Sequence, residues 1–406
     1  MRRHLIGIGG VGMSALATAL VRLGDEVTGA DRTLGTPNIA FLESLGIKVF
    51  PDDGSGVDAT TDEVIVSTAI EASNPGLKKA EELGIPVTHR AKALARTLNG
   101  YKLVAVVGTC GKSTVTAMLG HVLAECGLDP ICVNGANVPG WEGAVRFGTG
   151  AYAVAEVDES DKSLVAFSPY AAVVTNASAD HYSEEEMNEV FDAFIKGCKG
   201  PVIDGRLKDL ANLAQLEVPV PGQHNRQNAE LAVRMAVALG VPLERALAAM
   251  KTFGGVERRL QLITANRESA AAVYDDYAHN PEKLRAMWTT LAEKYPAGIC
   301  VIWRPHGYAP LRKMLEPLAA MFSETIRPQD KLLLLPVYDA GGTTDRSINS
   351  EALVEAITRG AILLSDLEAA YAWCEAHRSE FAAFVTCGAR DPGLPVLARR
   401  LAALVS

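Results

Sequence analysis

Two glycine-rich turns, one near residue 10 and one near residue 110, carry most of the chemistry legible in this chain. The later one, Gly108-Thr109-Cys110-Gly111-Lys112-Ser113-Thr114, follows the apolar run LVAVV and opens a helix-forming stretch ending in HVLAEC. A strand that breaks into glycine and then presents Lys-Ser at a helix start can turn its amides toward phosphate oxygens. Lys112 can neutralise β/γ-phosphate charge, and the Ser113 hydroxyl can ligate Mg2+. The full Walker pattern has glycine where this chain has Val106, so the motif is a compact version of that loop.

The earlier turn, Gly7-Ile8-Gly9-Gly10-Val11-Gly12, sits between a predicted strand and a predicted helix. Glycines there let the backbone approach a diphosphate, whose charge a helix N-terminus favours. Asp31 ends the next strand, 19 residues beyond Gly12, where an acid commonly meets a ribose hydroxyl. This turn alone would equally fit an NAD-dependent oxidoreductase. Two turns of different chemical type point to two phosphorylated molecules held by one chain.

A nucleotide triphosphate site needs acids for its metal. The run YAVAEVDESD supplies Glu156 and Asp158, and the next strand ends at Asn176 with Asp180-His181 close behind. Hard oxygen donors suit Mg2+, whereas imidazole is a less usual partner. Glu156 falls at a strand's C-terminal end, where α/β sites form, and is read as a metal ligand. Glu159 and Asp161 are read as a solvated acidic turn.

Strands alternating with helices position these turns. HLIGIG, EVTGAD and EVIVSTA read as strands, with MSALATALVRLG, FLESLG and NPGLKKAEELG as helices between them. The alternation restarts at YKLVAVVGTCGKS and again after GGVERRLQ, where AAVYDDYA, GICVIWRP, KLLLLPVY, AILLS and FAAFVTCG are strands. The expected fold class is α/β with mostly parallel sheets, in three consecutive domains at 1–99, 100–258 and 259–406.

Bulk composition narrows the function classes. With 406 residues, 48% hydrophobic and 21% charged, the chain reads as a globular protein of two or three domains. A net charge of −9 argues against a nucleic-acid binder or a polybasic membrane anchor. The seven cysteines show no metal-ligand spacing, which suits reduced thiols. The N-terminal apolar stretch is broken by glycines, unlike a signal peptide, and no run is long enough to span a bilayer, so a cytoplasmic location is expected. A monomer or homodimer is expected, with no nucleic-acid partner and no membrane insertion.

The motifs GIGGVGMSALA, VIVSTAIEASNP, GTCGKST, AEVDESDKS, VVTNASADH, PGQHNRQNA, FGGVERRLQ and VYDDYAHNP occur in this order along the chain. In this it resembles the Mur ligase family, and within it the members that join L-alanine to UDP-N-acetylmuramate. The resemblance implies an N-terminal Rossmann-like UDP-binding domain, a central P-loop ATPase and a C-terminal Rossmann-like acceptor domain. It also implies ATP and Mg2+ as cofactors, and UDP-N-acetylmuramate and an amino acid as substrates for peptidoglycan precursor synthesis.

Residue by residue, the resemblance gives Gly9, Gly10, Val11, Gly12, Asp31 and Ser67 to the UDP-sugar. Gly108, Thr109, Gly111, Lys112, Ser113, Thr114, Asn225, Asn228 and Arg259 go to ATP, and Ser113, Glu156 and His181 to metal. Tyr277, His279, His306 and Arg312 go to the acceptor, with Lys112, Arg259, His181 and His279 as the catalytic set. The asparagines could instead be helix caps, and Arg258 reads as a surface charge. The implied reaction is attack of the lactyl carboxylate on the γ-phosphorus of ATP, then attack of an amine on the acyl phosphate.

The chain departs from the family pattern in places. Gly307 and Pro310, in PHGYAPLRKML, stand where arginines are expected to grip the amino acid's carboxylate. A guanidinium–carboxylate fork is not replaced by glycine without loss, so the acceptor differs or another cation, such as Arg346, takes over. The segment between DAFIKGCKG and PGQHN is short, AHNP is closer to later ligases of the pathway, and Cys110 replaces the usual loop histidine. Lys196 lies at a distance that would suit a carbamylated lysine, although a solvated lysine is the simpler reading. The alternatives are a relative that joins a different amino acid or a recycled peptide to a UDP-muramyl donor, an NAD(P)-dependent oxidoreductase, and a binding protein without turnover.

Overall fold

A computed structural model describes residues 1–158, 163–177, 184–207, 213–264, 271–339, 341 and 345–406. The chain divides into two compact units, one of Met1–Pro219 with Asn225–Val256, the other of Val220–His224 with Glu257–Ser406.

The first unit contains two sheets. In the N-terminal one, β1 (Arg2–Ile6), β2 (Glu26–Asp31), β3 (Lys48–Pro51), β4 (Glu63–Val66) and β5 (Val87–His89) are all parallel, in the order β3-β2-β1-β4-β5. The order reverses between β1 and β4, so connections leave on opposite faces and a crevice opens at the C-terminal ends of these two strands. The first glycine turn leaves β1 at that crevice, and Ser67 follows β4 there.

The second sheet contains β6 (Lys102–Val107), β7 (Ile131–Val133), β8 (Val145–Arg146), β9 (Tyr152–Glu156), β10 (Ala171–Val174) and β11 (Val202–Asp204), ordered β11-β10-β6-β9-β7-β8. Only the β7–β8 pair is antiparallel. Strand β6 lies between β9 and β10, with Val106 opposite Glu156 and Val107 opposite Val174. That register brings three strand ends together beside the second glycine turn.

The second unit is built on β12 (Gln261–Leu262), β13 (Ala272–Asp276), β14 (Ile299–Trp303), β15 (Lys331–Leu334), β16 (Ala361–Leu363) and β17 (Ala383–Cys387), ordered β12-β13-β17-β14-β15-β16. β12 alone is antiparallel to its neighbour. Strands covered on both faces need apolar side chains in both directions, hence near-continuous runs rather than alternation. β14 shows this: Ile299, Val301 and Trp303 enter one core cluster, while Cys300 and Ile302 enter the other. Cys387 pairs with both Asp276 and Trp303, so β13, β17 and β14 end level with one another.

The mixed, mostly parallel α/β architecture on three sheets is the fold class read from the sequence. The strands β3, β5, β7, β8, β11 and β12, each of four residues or fewer, and the helix Arg90–Thr97 were not read from the sequence. Among the described residues no helix is long and apolar enough to cross a membrane. All seven cysteines are free thiols.

Candidate active site

The first glycine turn is shaped by its neighbours. Gly7 has φ +74°, a left-handed value that glycine adopts without a Cβ penalty. Asp31 Oδ2 accepts the Gly9 amide at 2.9 Å and Oδ1 accepts the Thr33 amide at 3.0 Å. The acid expected to meet a ribose is thus first a brace for the turn. A Cβ on Gly9 would stand 2.9 Å from Asp31 Oδ2, so a side chain there would displace this carboxylate. Asn38 Nδ2 donates to the Gly9 carbonyl at 2.9 Å, and a Cβ on Gly12 would stand 3.2 Å from Arg90 Nη1. No local pattern in the sequence marks Asn38 or Arg90, the cation beside this turn. Gly10 precedes the helix Val11–Arg22, whose first amides lack intrahelical acceptors.

The second turn is held from β10. The Thr109 hydroxyl donates to Asn176 Oδ1 at 2.6 Å, and the Cys110 amide donates to the same oxygen at 3.0 Å. Asn176 Nδ2 and the Thr175 hydroxyl both donate to the Cys110 carbonyl, at 3.0 and 2.6 Å. The Thr109 amide reaches the Asn176 carbonyl at 3.3 Å. Asn176 therefore braces the loop from a neighbouring strand end, a role its position near the acids did not reveal. Gly108 and Gly111 have φ +129° and +83°. A Cβ on Gly111 would lie 2.5 Å from Asn228 Oδ1.

Lys112, Ser113 and Thr114 begin the helix Lys112–Glu125, where backbone N–H groups have no intrahelical partner. Lys112 Nζ donates to the Gly108 carbonyl at 2.5 Å and stands 4.0 Å from Asp158 Oδ1. Glu156 Oε2 accepts the Gly135 amide at 2.7 Å, which fixes one carboxylate oxygen at the end of β9. Asn225 and Asn228 lie inside the helix Gln223–Ala238 and are buried on one side of it, so neither is the cap that the alternative reading offered. Lys196 is exposed, one residue past the helix Glu184–Ile195.

His181, expected as a metal ligand and catalytic residue, lies outside the described residues, as do Asp180, Glu159 and Asp161. Among the described residues no group of three His, Cys, Asp or Glu side chains is arranged to hold a metal. Mg2+ bound through one or two carboxylates, substrate phosphates and water needs no all-protein cage. The oxygen donors of Ser113, Glu156 and Asp158 fit that chemistry.

The second unit gathers its polar residues at the level ends of β13, β17 and β14. Asp276 Oδ2 accepts the Leu260 amide and Oδ1 the Ala278 amide, each at 2.7 Å. Arg258 Nε donates to Asp275 Oδ2 at 3.0 Å, and the Thr386 hydroxyl donates to Asp275 Oδ1 at 2.8 Å. Arg258 and Leu260 both have left-handed backbones, with φ +58° and +45°. The acid pair holds this turn closed over Arg259, whose guanidinium lies 4.6 Å from the Tyr277 ring centroid. Arg258 is thus an anchor, with its side chain only 20% exposed, and not the surface charge expected from the sequence.

His279 stacks edge-on between two rings, 5.4 Å from Tyr277 and 4.9 Å from His306. Its Nδ1 is 2.9 Å from the Tyr277 carbonyl, which can only accept, so the proton sits on Nδ1 and Nε2 keeps its lone pair. Burial, reinforced by Lys283, lowers the His279 pKa to about 3, and His306 and Arg259 act in the same direction. A neutral imidazole among cations suits a site for anionic groups. Arg312 donates to Asp345 at 2.8 Å from an exposed position, and Arg346 is bonded through two nitrogens to Asp339, at 2.8 and 3.1 Å. Both cations proposed for the acceptor's carboxylate therefore already face carboxylates.

Two family models match the chain: Mur ligase family, catalytic domain, over residues 2–102, and Mur ligase, glutamate ligase domain, over residues 258–390. The UDP-N-acetylmuramate--L-alanine ligase of Paenarthrobacter aurescens is 35% identical, across 90% of this chain and 89% of that protein. The enzyme of the same name from Arthrobacter sp. is 33% identical, across 90% and 87%. The crystal structure of UDP-N-acetylmuramate-alanine ligase from Thermotoga maritima superposes with a TM-score of 0.83 at 26% identity, covering 99% of this chain and 98% of that one. A murein peptide ligase from Psychrobacter arcticus shares the fold, with a TM-score of 0.69 at 21% identity over 100% and 98% of the two chains.

Proposed function

Because the chain belongs to the Mur ligase family, we propose that it forms the amide between L-alanine and the lactyl carboxylate of UDP-N-acetylmuramate, converting ATP to ADP and phosphate. The observation that carries this reading is the presence of two differently built glycine turns, each leaving the C-terminal end of a central parallel strand. An oxidoreductase built on the first turn alone leaves Lys112, Ser113 and the Asn176 brace without a purpose.

In this reading residues 1–99 hold the UDP-sugar, residues 100–258 hold ATP, and residues 259–406 take the amino acid. Lys112 and the amides of Ser113 and Thr114 receive the β/γ-phosphates, and Asn225 and Asn228 contact the adenine. Ser113 and Glu156 would hold Mg2+, whose charge would offset that of the phosphates. The lactyl carboxylate attacks the γ-phosphorus, giving an acyl phosphate and ADP. The amine then attacks the acyl carbon, loses its proton and expels phosphate. Arg259 offsets the charge that builds on the transferred group, and His279 accepts a hydrogen bond at Nε2 beside the incoming amine.

The test is phosphate release with ATP, Mg2+ and UDP-N-acetylmuramate against single amino acids and small peptides, with the product weighed by mass spectrometry. Release that depends on L-alanine, with a UDP-N-acetylmuramoyl-alanine product, is the expected result. Release that depends on a peptide would move the chain to the recycling alternative, and silence across the set would remove the donor assignment.

A further inference from the structure

Gly307 precedes the helix Tyr308–Thr325, at the position where a carboxylate-binding arginine was expected. A Cβ built there would stand 3.4 Å from Pro310 Cδ and 3.9 Å from Arg390 Nη1. The guanidinium of Arg390, carried by the turn after β17, thus lies against the space where a side chain at 307 would start. Nothing in the sequence GARDPG marks Arg390.

Three further observations bear on this arginine. Arg390 has φ +61°, a left-handed backbone that a side-chain-bearing residue adopts at a cost and that recurs at functional sites. The turn is pinned on both flanks: Gly388 donates to the Asp276 carbonyl at 3.1 Å, and Asp391 accepts Arg304 Nη1 at 2.8 Å and the Gly393 amide at 2.8 Å. The neighbouring carboxylate is therefore committed to Arg304, while Arg390 is exposed. The other candidate arginines face acids of their own: Arg258 has Asp275, Arg312 has Asp345 and Arg346 has Asp339.

On the proposed ligase reading, we infer that Arg390 is the specificity-determining cation for the acceptor: its guanidinium receives the α-carboxylate of the incoming amino acid in place of the arginine missing at 307. A guanidinium offers a planar fork to a carboxylate, and such recognition does not depend on which backbone position supplies it. The strain at 390 and the glycine at 307 then have a single explanation, a cation moved from one strand end to the adjacent one.

The test measures KM for L-alanine, ATP and UDP-N-acetylmuramate in the wild type, in Arg390→Gly and in the double variant Gly307→Arg with Arg390→Gly. Alaninamide, which lacks the carboxylate, serves as the control acceptor. Glycine is free at φ +61°, so Arg390→Gly should melt no lower than the wild type. The expected result is an alanine KM raised about 10- to 100-fold, the scale of a lost charge-assisted hydrogen bond. The other two KM values and the turnover of alaninamide should be unchanged, and the double variant should recover affinity for alanine.

An unchanged alanine KM in Arg390→Gly would overturn the inference and leave the ligase assignment intact. An equal rise in all three KM values would also overturn it, by making Arg390 structural. A wild type that turns over no amino acid would remove both.

Discussion

The Arg258 guanidinium donates to Asp275 Oδ2 at 3.0 Å, inside a core where the aspartate is 1% exposed. Adjacent arginines therefore serve different ends. Both lie over the Tyr277 ring, but Arg258 also closes the turn through Asp275.

That division predicts opposite phenotypes. Arg258→Ala leaves Asp275 buried without its cation and should cost about 3 kcal/mol of stability, as for other broken buried pairs. Arg259→Ala should change stability by less than about 1 kcal/mol yet lower kcat by roughly two to three orders of magnitude, as when a charge-stabilising group is lost. Urea unfolding and steady-state kinetics on both variants separate the roles.

Lys112→Ala should abolish ATP turnover to within about 0.1–1% of wild type, the scale for removing a group that stabilises charge in the transition state. The melting temperature should change little, since the Lys112 ammonium is bonded to the Gly108 carbonyl of its own loop. Undiminished ATP turnover in this variant would sink the assignment of the second turn to phosphate.

Asn176→Ala removes the side chain that binds Thr109, the Cys110 amide and the Cys110 carbonyl. The KM for ATP should rise about tenfold, the loss expected when a loop must be ordered by its ligand. The KM for UDP-N-acetylmuramate should not move. A shift in both would mean that the loop brace also shapes the other site.

Acid should destabilise the protein through His279. In the unfolded chain this group titrates near 6.5, and in the native state near 3. Between those values the unfolded chain binds a proton that the native state refuses, so stability falls as the pH drops through this window. Each such group contributes a slope of about 1.4 kcal/mol per pH unit, and none above pH 6.5. Burial lowers His4 to about 4, so it adds to the same limb. His279→Gln should make the acid limb shallower by one proton, as read from urea midpoints at pH 7, 6 and 5.

The longer strands, their parallel sense and both glycine turns were legible in the sequence, because continuous apolar strands followed by glycine and a helix leave a local pattern. It did not show which side chains hold those turns. Asn38 and Asp31 reach the first turn from β2 and the helix beyond it, and Asn176 reaches the second from β10. Such contacts depend on strand order, which spacing along the chain does not encode. Arg258 and Arg390 were hidden for a related reason: each sits in a left-handed turn whose partners lie on another strand.

The second turn is tied to Thr175 and Asn176 by hydrogen bonds from within the chain itself. A segment tied down in this way has little conformational freedom left to lose, so nucleotide capture need not be coupled to local folding. The Thr109 and Cys110 amides, whose acceptors lie on Asn176, should exchange slowly with deuterium in the free protein. Adding nucleotide should slow the first-turn amides of the helix that follows and leave those two almost as they were.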